Sequence, residues 1–148
     1  MKILYFSSHP QHRSDSLTGY GTHQRSTIKA FNNLGHNVKT LIMADYFPKK
    51  LVDTSPSKPS NNLKSKLPRF IINFFKDIKL LKHSYNSGKK LEESIQKFGP
   101  DFIYERSEHL MFSGVRIANK HNTPIILEVN APFVEEIRKW EGWSPWHW

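Results

Sequence analysis

The feature that most constrains the fold of this chain is the alternation of short apolar runs with helical patterns. Four such runs predict strands, at residues 2–6, 37–43, 101–104 and 124–129, and apolar residues at helical spacing lie between them. Parallel strands need crossover connections of this kind, and the connection is usually a helix. The sequence therefore predicts an α/β protein, with a Rossmann-like parallel sheet flanked by helices.

Polar and charged side chains follow these strands at the point where each one ends. Ser7, Ser8 and His9 follow the first run, Glu105 and Arg106 the third, and Asn130 the fourth. In an open parallel sheet all strands end at the same edge, and ligands bind in the crevice there. We call this the C-terminal edge, and we expect the functional site to lie along it.

Composition limits the class of protein. The chain has 148 residues, enough for one domain with a core of its own. Its mean hydropathy is −0.59, and it has no run of the ~20 apolar residues that a spanning helix needs. It has no cysteine, which excludes disulfides and thiolate metal sites, and its first residues resemble a strand rather than a signal peptide. We expect a cytoplasmic protein.

Positive charge is concentrated in one part of the chain. Residues 48–90 carry a net charge of +9, which equals the net charge of the whole chain. Within this part, residues 48–67 are rich in Pro, Ser, Asn and Lys and poor in apolar residues, which predicts a basic, flexible insertion. The segment lacks a recognisable nucleic-acid-binding motif, so we expect no nucleic-acid partner.

A long helical pattern at residues 69–98 follows the insertion, with a possible break near residues 86–88. Its first half mixes bulky apolar residues with lysines, as in a helix that lies on an anionic bilayer surface. The predicted membrane contacts are Phe74, Lys76, Ile78, Lys79 and Lys82. The alternative is a crossover helix that packs on the sheet and exposes its lysines to water. If the helix lies on a bilayer, the protein would be peripheral on the inner face of the membrane.

All four tryptophans lie in residues 140–148, at positions 140, 143, 146 and 148. Such residues are seldom left in water. We expect this Trp-rich tail to pack on a surface outside the domain at residues 1–139, either a second domain or a membrane. The alternative is that the tryptophans pack against one another.

Several strings of residues resemble a known family. They are the first eight residues, the Gly19-x-Gly21 turn, the stretch from Leu34 to Val38, the segment Pro100-Asp101-Phe102-Ile103-Tyr104-Glu105-Arg106, and the segment Leu127-Glu128-Val129-Asn130-Ala131-Pro132. Together they resemble the amino-terminal domain of GT-B glycosyltransferases of family four. The last two segments are the more specific, and the resemblance covers residues 1 to about 138, weakly across the insertion.

This resemblance implies half of an enzyme. In that family two Rossmann-like domains face each other, the first holding mostly the acceptor and the second the nucleoside diphosphate sugar. The implied reaction is retaining transfer of a sugar to a glycan or lipid-linked acceptor, as in polysaccharide biosynthesis, without a metal or other cofactor. The expected partner is a second GT-B domain, in the same reading frame or in a separate chain, and residues 1–148 alone would be inactive. The alternative is a non-catalytic Rossmann-like module that binds a nucleotide or a protein.

The candidate substrate-binding residues are Gly19, Gly21, Glu105, Arg106, Glu128 and Asn130. Glycines let a ligand approach the backbone, and amides at a helix start can hold a diphosphate. A guanidinium clamps phosphate or hydroxyl groups, and a carboxylate accepts from hydroxyls. For each residue a structural alternative exists: a simple turn for the glycines, a surface ion pair for Glu105 and Arg106, and a structural hydrogen bond for Glu128.

Two histidines, His9 and His109, are further candidates for contact with substrate because they follow the first and third strands. Their alternative is a solvated loop position. Histidines at positions 9, 12, 23 and 109 would have to converge from separate loops to bind a metal, so the sequence predicts no metal site.

Overall fold

The computed structural model describes residues 1–46, 68–130, 132, 135, 136 and 139. The chain forms β1 (Lys2–Ser7), α1 (Gly19–Asn33), β2 (Asn37–Ile42), α2 (Arg69–Phe98), β3 (Phe102–Arg106), α3 (Ser113–Lys120) and β4 (Ile125–Glu128), and a short 3-10 turn, Met43–Tyr46, follows β2. The predicted insertion at residues 48–67 and the Trp-rich tail at residues 140–148 lie outside the described residues.

The four strands form one sheet in the order β2-β1-β3-β4, and every neighbouring pair is parallel. This confirms the predicted α/β class with a Rossmann-like parallel sheet. In β1, Leu4 pairs with Lys39 of β2 on one side and with Ile103 of β3 on the other.

Both faces of the sheet are covered by helices, which is why the central strands are apolar on both sides. One face carries α2 and α3, and its core contains Leu4, Phe6, Leu41, Leu91, Ile95, Ile103 and Ile117. The other face carries α1 and buries Tyr5, Ile42 and Ala44 against Ile28, Val38 and Tyr104. Residues alternate between the two faces along each strand, as a pleated strand requires.

The helix α2 is continuous over its 30 residues, so the predicted break near residues 86–88 was wrong. Ser87 is fully buried and Gly88 is also buried. A Cβ on Gly88 would meet Arg116 and Ile117 of α3. The small residues therefore let two helices approach closely instead of ending one of them. The helix ends at Gly99, whose φ of 57° is the left-handed conformation that favours glycine.

The strand β3 begins one residue later and ends two residues later than predicted, so that it includes Glu105 and Arg106. Both residues still pair across the sheet, Glu105 with Leu127 and Arg106 with Glu128 of β4. Because side chains alternate along a strand, the two charged residues point to opposite faces of the sheet. Within the described part of the chain, no helix is both long and apolar enough to cross a membrane.

Candidate functional site

The C-terminal edge contains a topological switch point between β1 and β3. From β1 the chain passes to β2 on one side, whereas β3 lies on the other side. The loop after β1, residues 8–18, leads into α1 on one face, and the loop after β3, residues 107–112, leads into α3 on the other. A crevice at such a point is the usual ligand site of an open α/β sheet.

The loop at residues 8–18 is held in place by side chains of α1. Gln24 is fully buried, and its amide donates to the Ser7 hydroxyl over 3.1 Å and to the His12 carbonyl over 3.3 Å. Arg25 donates to the carbonyl of Ser16, with a distance of 2.8 Å. These contacts fix one wall of the crevice without help from a ligand.

The two candidate glycines of α1 have different surroundings. A Cβ on Gly21 would collide with the backbone carbonyl of Ser16, so this glycine permits close packing of the chain on itself. A Cβ on Gly19 would meet nothing within 4 Å, which leaves Gly19 open to solvent. The Thr18 side chain makes no capping hydrogen bond at the start of α1. The structure thus gives Gly21 a packing role and leaves Gly19 at a helix start that Thr18 does not cap.

Glu105 lies on the face covered by α3 and is fully buried. Its Oε1 faces the Ser8 hydroxyl at 3.5 Å, and its Oε2 has no hydrogen-bond partner among the described residues. Burial raises the pKa of this carboxyl to about 8, above its ordinary value of 4.5. Glu105 is therefore mostly protonated at neutral pH and lies beneath α3 with no exposed surface.

Arg106 lies on the opposite face, where it meets residues from both loops. Its guanidinium lies over the ring of Tyr20, with 5.3 Å between Cζ and the ring centroid. Its Nε is 3.5 Å from Oε1 of Glu108, and Nδ1 of His12 is 3.3 Å from the same oxygen. The His12 ring stacks on Tyr20 at 4.0 Å between centroids. We call Arg106, Glu108, His12 and Tyr20 the arginine cluster.

Glu128 and Asn130 form a second group on the same face, beside the arginine cluster. The Glu128 carboxylate accepts from Tyr104 over 3.0 Å and from Asn130 over 2.6 Å, and it pairs with His23 of α1 at 2.6 Å. Burial raises the pKa of Glu128, but the hydrogen bonds from Asn130 and Tyr104 and the charge of His23 outweigh it, so the pKa lies below the ordinary value. Glu128 is thus an anion that ties α1 to β4, while His23 and Asn130 remain accessible.

The candidate histidines lie at the same edge. The His9 ring stacks on His12 at 4.0 Å, and burial together with the charges of His12 and His83 lowers the pKa of His9 to about 3. His9 is therefore neutral at physiological pH. His109 is partly buried in the loop after β3. In the described part of the chain, no three His, Asp or Glu side chains come together in a way that could hold a metal ion.

The first half of α2 extends beyond the C-terminal edge. His83 donates to the Ser8 carbonyl at the end of β1 over 2.7 Å, whereas Phe98 lies near Lys2 at the start of β1. Residues 69–82 precede that contact, and at ~1.5 Å per residue they reach ~20 Å past the sheet.

The polarity of this first half of α2 is inverted, because polar side chains are buried and apolar side chains are exposed. Its buried positions include Asn73 and Asp77, while Phe75 and Ile78 are 57% and 38% exposed. The predicted contacts Lys76, Lys79 and Lys82 are also exposed, whereas Phe74 is half-buried. An apolar and basic surface therefore projects from the edge that holds the crevice, with Phe75 rather than Phe74 at its centre.

Several residues of this edge were not identified from the sequence: Tyr20, Gln24, Glu108 and His83. Histidines 12 and 23 were considered only as metal ligands. Tyr20 and His23 are three residues apart on one face of α1, a spacing that could have indicated a shared surface. The positions of Glu108 and His83 depend on tertiary packing and have no local signal.

The geometry thus brings Arg106, Glu128, Asn130 and His9 to one face of the C-terminal edge and separates Glu105 from them. Compared with known proteins, the chain matches no protein-family model, no curated protein and no solved structure.

Proposed function

We propose that this chain is the acceptor-binding half of a retaining glycosyltransferase. In the complete enzyme, a second Rossmann-like domain would hold a nucleoside diphosphate sugar, and the sugar would pass to a glycan or lipid-linked acceptor. The observation that carries the proposal is the polar crevice at the β1/β3 switch point, together with the two sequence segments in β3 and β4 that resemble family-four GT-B enzymes.

The exposed groups at this crevice suit a hydroxyl-rich ligand. Asn130 offers its carbonyl acceptor and the amide hydrogen that Glu128 does not use, His23 offers its Nδ1, and Tyr20 offers a half-exposed aromatic ring. Sugars present hydroxyls that both donate and accept, so such a mixed set matches them. Because the α1 contacts fix the loop in advance, binding would cost little ordering of the protein.

The carboxylates of this edge support a positioning role. Glu105 is buried and mostly protonated, Glu108 lies between Arg106 and His12, and Glu128 already has three partners. Each faces other groups of the protein. The contribution of this half would be to hold the acceptor hydroxyl in line with the donor, which can supply several kcal/mol of the barrier reduction.

The inverted polarity of α2 favours a lipid-linked acceptor over a free glycan. The surface formed by Phe75, Ile78, Lys76, Lys79 and Lys82 combines apolar side chains with positive charge, as interfacial helices do. It projects from the same edge as the crevice. A helix resting on an anionic leaflet would hold the crevice close to the headgroups.

One observation favours a non-catalytic module as the second candidate. In the outer strand β4, Ile126 and Leu127 are 49% and 42% exposed, and Val129 just beyond it is also exposed. An exposed apolar strand at the edge of a sheet can pair with another protein.

Equilibrium binding separates the two candidates. We expect the chain to bind oligosaccharides or lipid-linked saccharides, to show no binding of free nucleoside diphosphate sugars, and to lose saccharide affinity in His23→Ala. The matched control is His121→Ala. His121 pairs with Glu92 at 2.9 Å, as His23 pairs with Glu128, but it lies at the end of α3, away from the crevice. Absence of saccharide binding, whether or not a nucleotide binds, would support the module instead.

A further inference from the structure

Arg106 is a buried cation with two donor nitrogens that make no hydrogen bond to the described residues. It is 7% exposed, and neither its Nε nor its Nη1 has a hydrogen-bond partner among the described residues. A guanidinium presents five N–H donors in a planar fork. Leaving buried donors unpaired is costly, so each such group requires an explanation.

The nearest anion does not satisfy these donors. Glu108 Oε1 is 3.5 Å from Nε of Arg106 and 3.3 Å from Nδ1 of His12, and neither nitrogen makes a hydrogen bond to it. Charge-assisted bonds of this type normally span about 2.7 to 2.9 Å. A single carboxylate oxygen therefore lies between the two nitrogen donors without bonding to either.

The loop that carries Glu108 has an unusual backbone. Leu110, two residues further along, has a φ of 59°, in the left-handed region that a bulky residue seldom adopts. Such conformations often occur at ligand sites. Tyr20, stacked on His12 and lying under the Arg106 guanidinium, forms the opposite wall.

We propose that Arg106 and His12 form a binding site for a phosphate monoester and that the Glu108 carboxylate is a stand-in which the phosphate displaces. A phosphate has enough oxygens to bond Nε and an Nη of Arg106 while a third contacts His12, whereas the present carboxylate oxygen bonds neither. The assignment of this phosphate to the acceptor rests on the proposed function. The site itself does not, because it can be tested with phosphate alone.

The test is a titration of the chain with inorganic phosphate, followed by ³¹P and ¹H–¹⁵N NMR. We expect Glu108→Gln to bind phosphate about tenfold more tightly than the unchanged chain, because the competing negative charge is gone, and Arg106→Lys to lose most of the binding. The matched control is Glu92→Gln, since Glu92 also contacts a cation and a histidine, Lys120 and His121. That change should leave phosphate affinity unaltered.

Two further titrations distinguish the source of the phosphate. A hexose phosphate in solution offers a phosphate monoester on a sugar, and vesicles containing phosphatidic acid offer one on a lipid. Tighter binding of either probe by Glu108→Gln than by the unchanged chain would support the site. Equal affinities of Glu108→Gln and the unchanged chain for all three probes, or no binding to any of them, would overturn the proposal. Binding of phosphate together with failure to bind any saccharide would overturn the acceptor assignment and leave the phosphate site intact.

Discussion

The Cα atom of Gly114, in the first turn of α3, lies directly against the carboxyl group of Glu105 at the end of β3. A Cβ at this position would overlap the carboxyl group of Glu105. The approach of α3 to the sheet and the burial of Glu105 are therefore two aspects of one contact. Ser84 of α2 completes the arrangement, because its hydroxyl accepts from the amides of Phe112 and Ser113, with a distance of 3.0 Å to the first.

Gly114→Ala should destabilise the protein by about 1 to 3 kcal/mol, the usual cost of inserting a methyl group into a closed contact. The double variant Glu105→Ala with Gly114→Ala should be more stable than the sum of the single changes implies, since the new methyl group would occupy space vacated by the carboxyl. Urea unfolding of the four proteins measures this coupling. Strictly additive effects would show that the two residues do not share a contact.

The buried carboxyl of Glu105 predicts a specific pH dependence of stability. Its pKa is about 8 in the folded chain and 4.5 as an ordinary side chain. Between these values the unfolded chain releases the proton while the folded chain retains it. The free energy of unfolding should therefore fall as the pH rises through this window, by at most about 1.4 kcal/mol per pH unit.

Glu105→Gln keeps the shape of the side chain and removes its ionisation. We expect its stability advantage over the unchanged chain to grow between pH 5 and pH 8 and then to level off, as measured by urea unfolding at several pH values. Parallel pH profiles for the two proteins would mean that Glu105 is not held neutral.

The two glycines of α1 should respond differently to the same substitution. Gly21→Ala should destabilise the chain by about 1 to 3 kcal/mol, because the methyl group would collide with the Ser16 carbonyl. Gly19→Ala should be neutral or slightly stabilising, since nothing lies near its Cβ position and alanine favours helices. Thermal unfolding of both variants checks this pair. Equal losses would remove the packing role assigned to Gly21.

The surface of α2 should bind anionic vesicles in a salt-dependent way. Each lysine near such a surface contributes about 1 kcal/mol, and salt screens it over a Debye length of ~8 to 10 Å. We expect Lys76→Glu with Lys79→Glu to abolish sedimentation with phosphatidylserine vesicles, and Phe75→Ser to weaken it without unfolding the protein. The control is Lys29→Glu with Lys97→Glu, which reverses two exposed lysines away from this surface. Equal loss in both pairs would indicate a response to net charge alone.

The sequence predicted the framework of the fold because its signals are local. Each strand is a short apolar run, and α1 ends just before Gly35, whose φ of 78° suits a glycine. The continuity of α2 through Ser87 and Gly88 could not be predicted in the same way, because it depends on the approach of α3. Intrinsic propensity is overridden wherever packing favours small residues.

The sequence predicted which polar residues lie at the C-terminal edge, but not how they are arranged there. The sequence analysis placed Glu105 and Arg106 after the third strand rather than within it. It therefore did not predict that their side chains alternate and point to opposite faces of the sheet. Whether Glu105 is buried depends on Gly114, nine residues later. The contacts of Arg106 depend on Tyr20 and His12, which are far away in the sequence. The sequence indicated where polar groups collect, whereas tertiary packing determines which of them can meet a ligand.

The central claim is that the crevice between β1 and β3 binds a saccharide acceptor, and mapping of backbone amide shifts tests it most directly. ¹H–¹⁵N spectra of the chain would be recorded during titration with a lipid-linked saccharide in detergent, with the detergent alone as reference. We predict shifts at residues 8–13, 20–23, 106–109 and 128–130, and none at residues 34–37 or 99–101 at the opposite edge. Shifts confined to the opposite edge, or none at any saccharide concentration, would contradict the account.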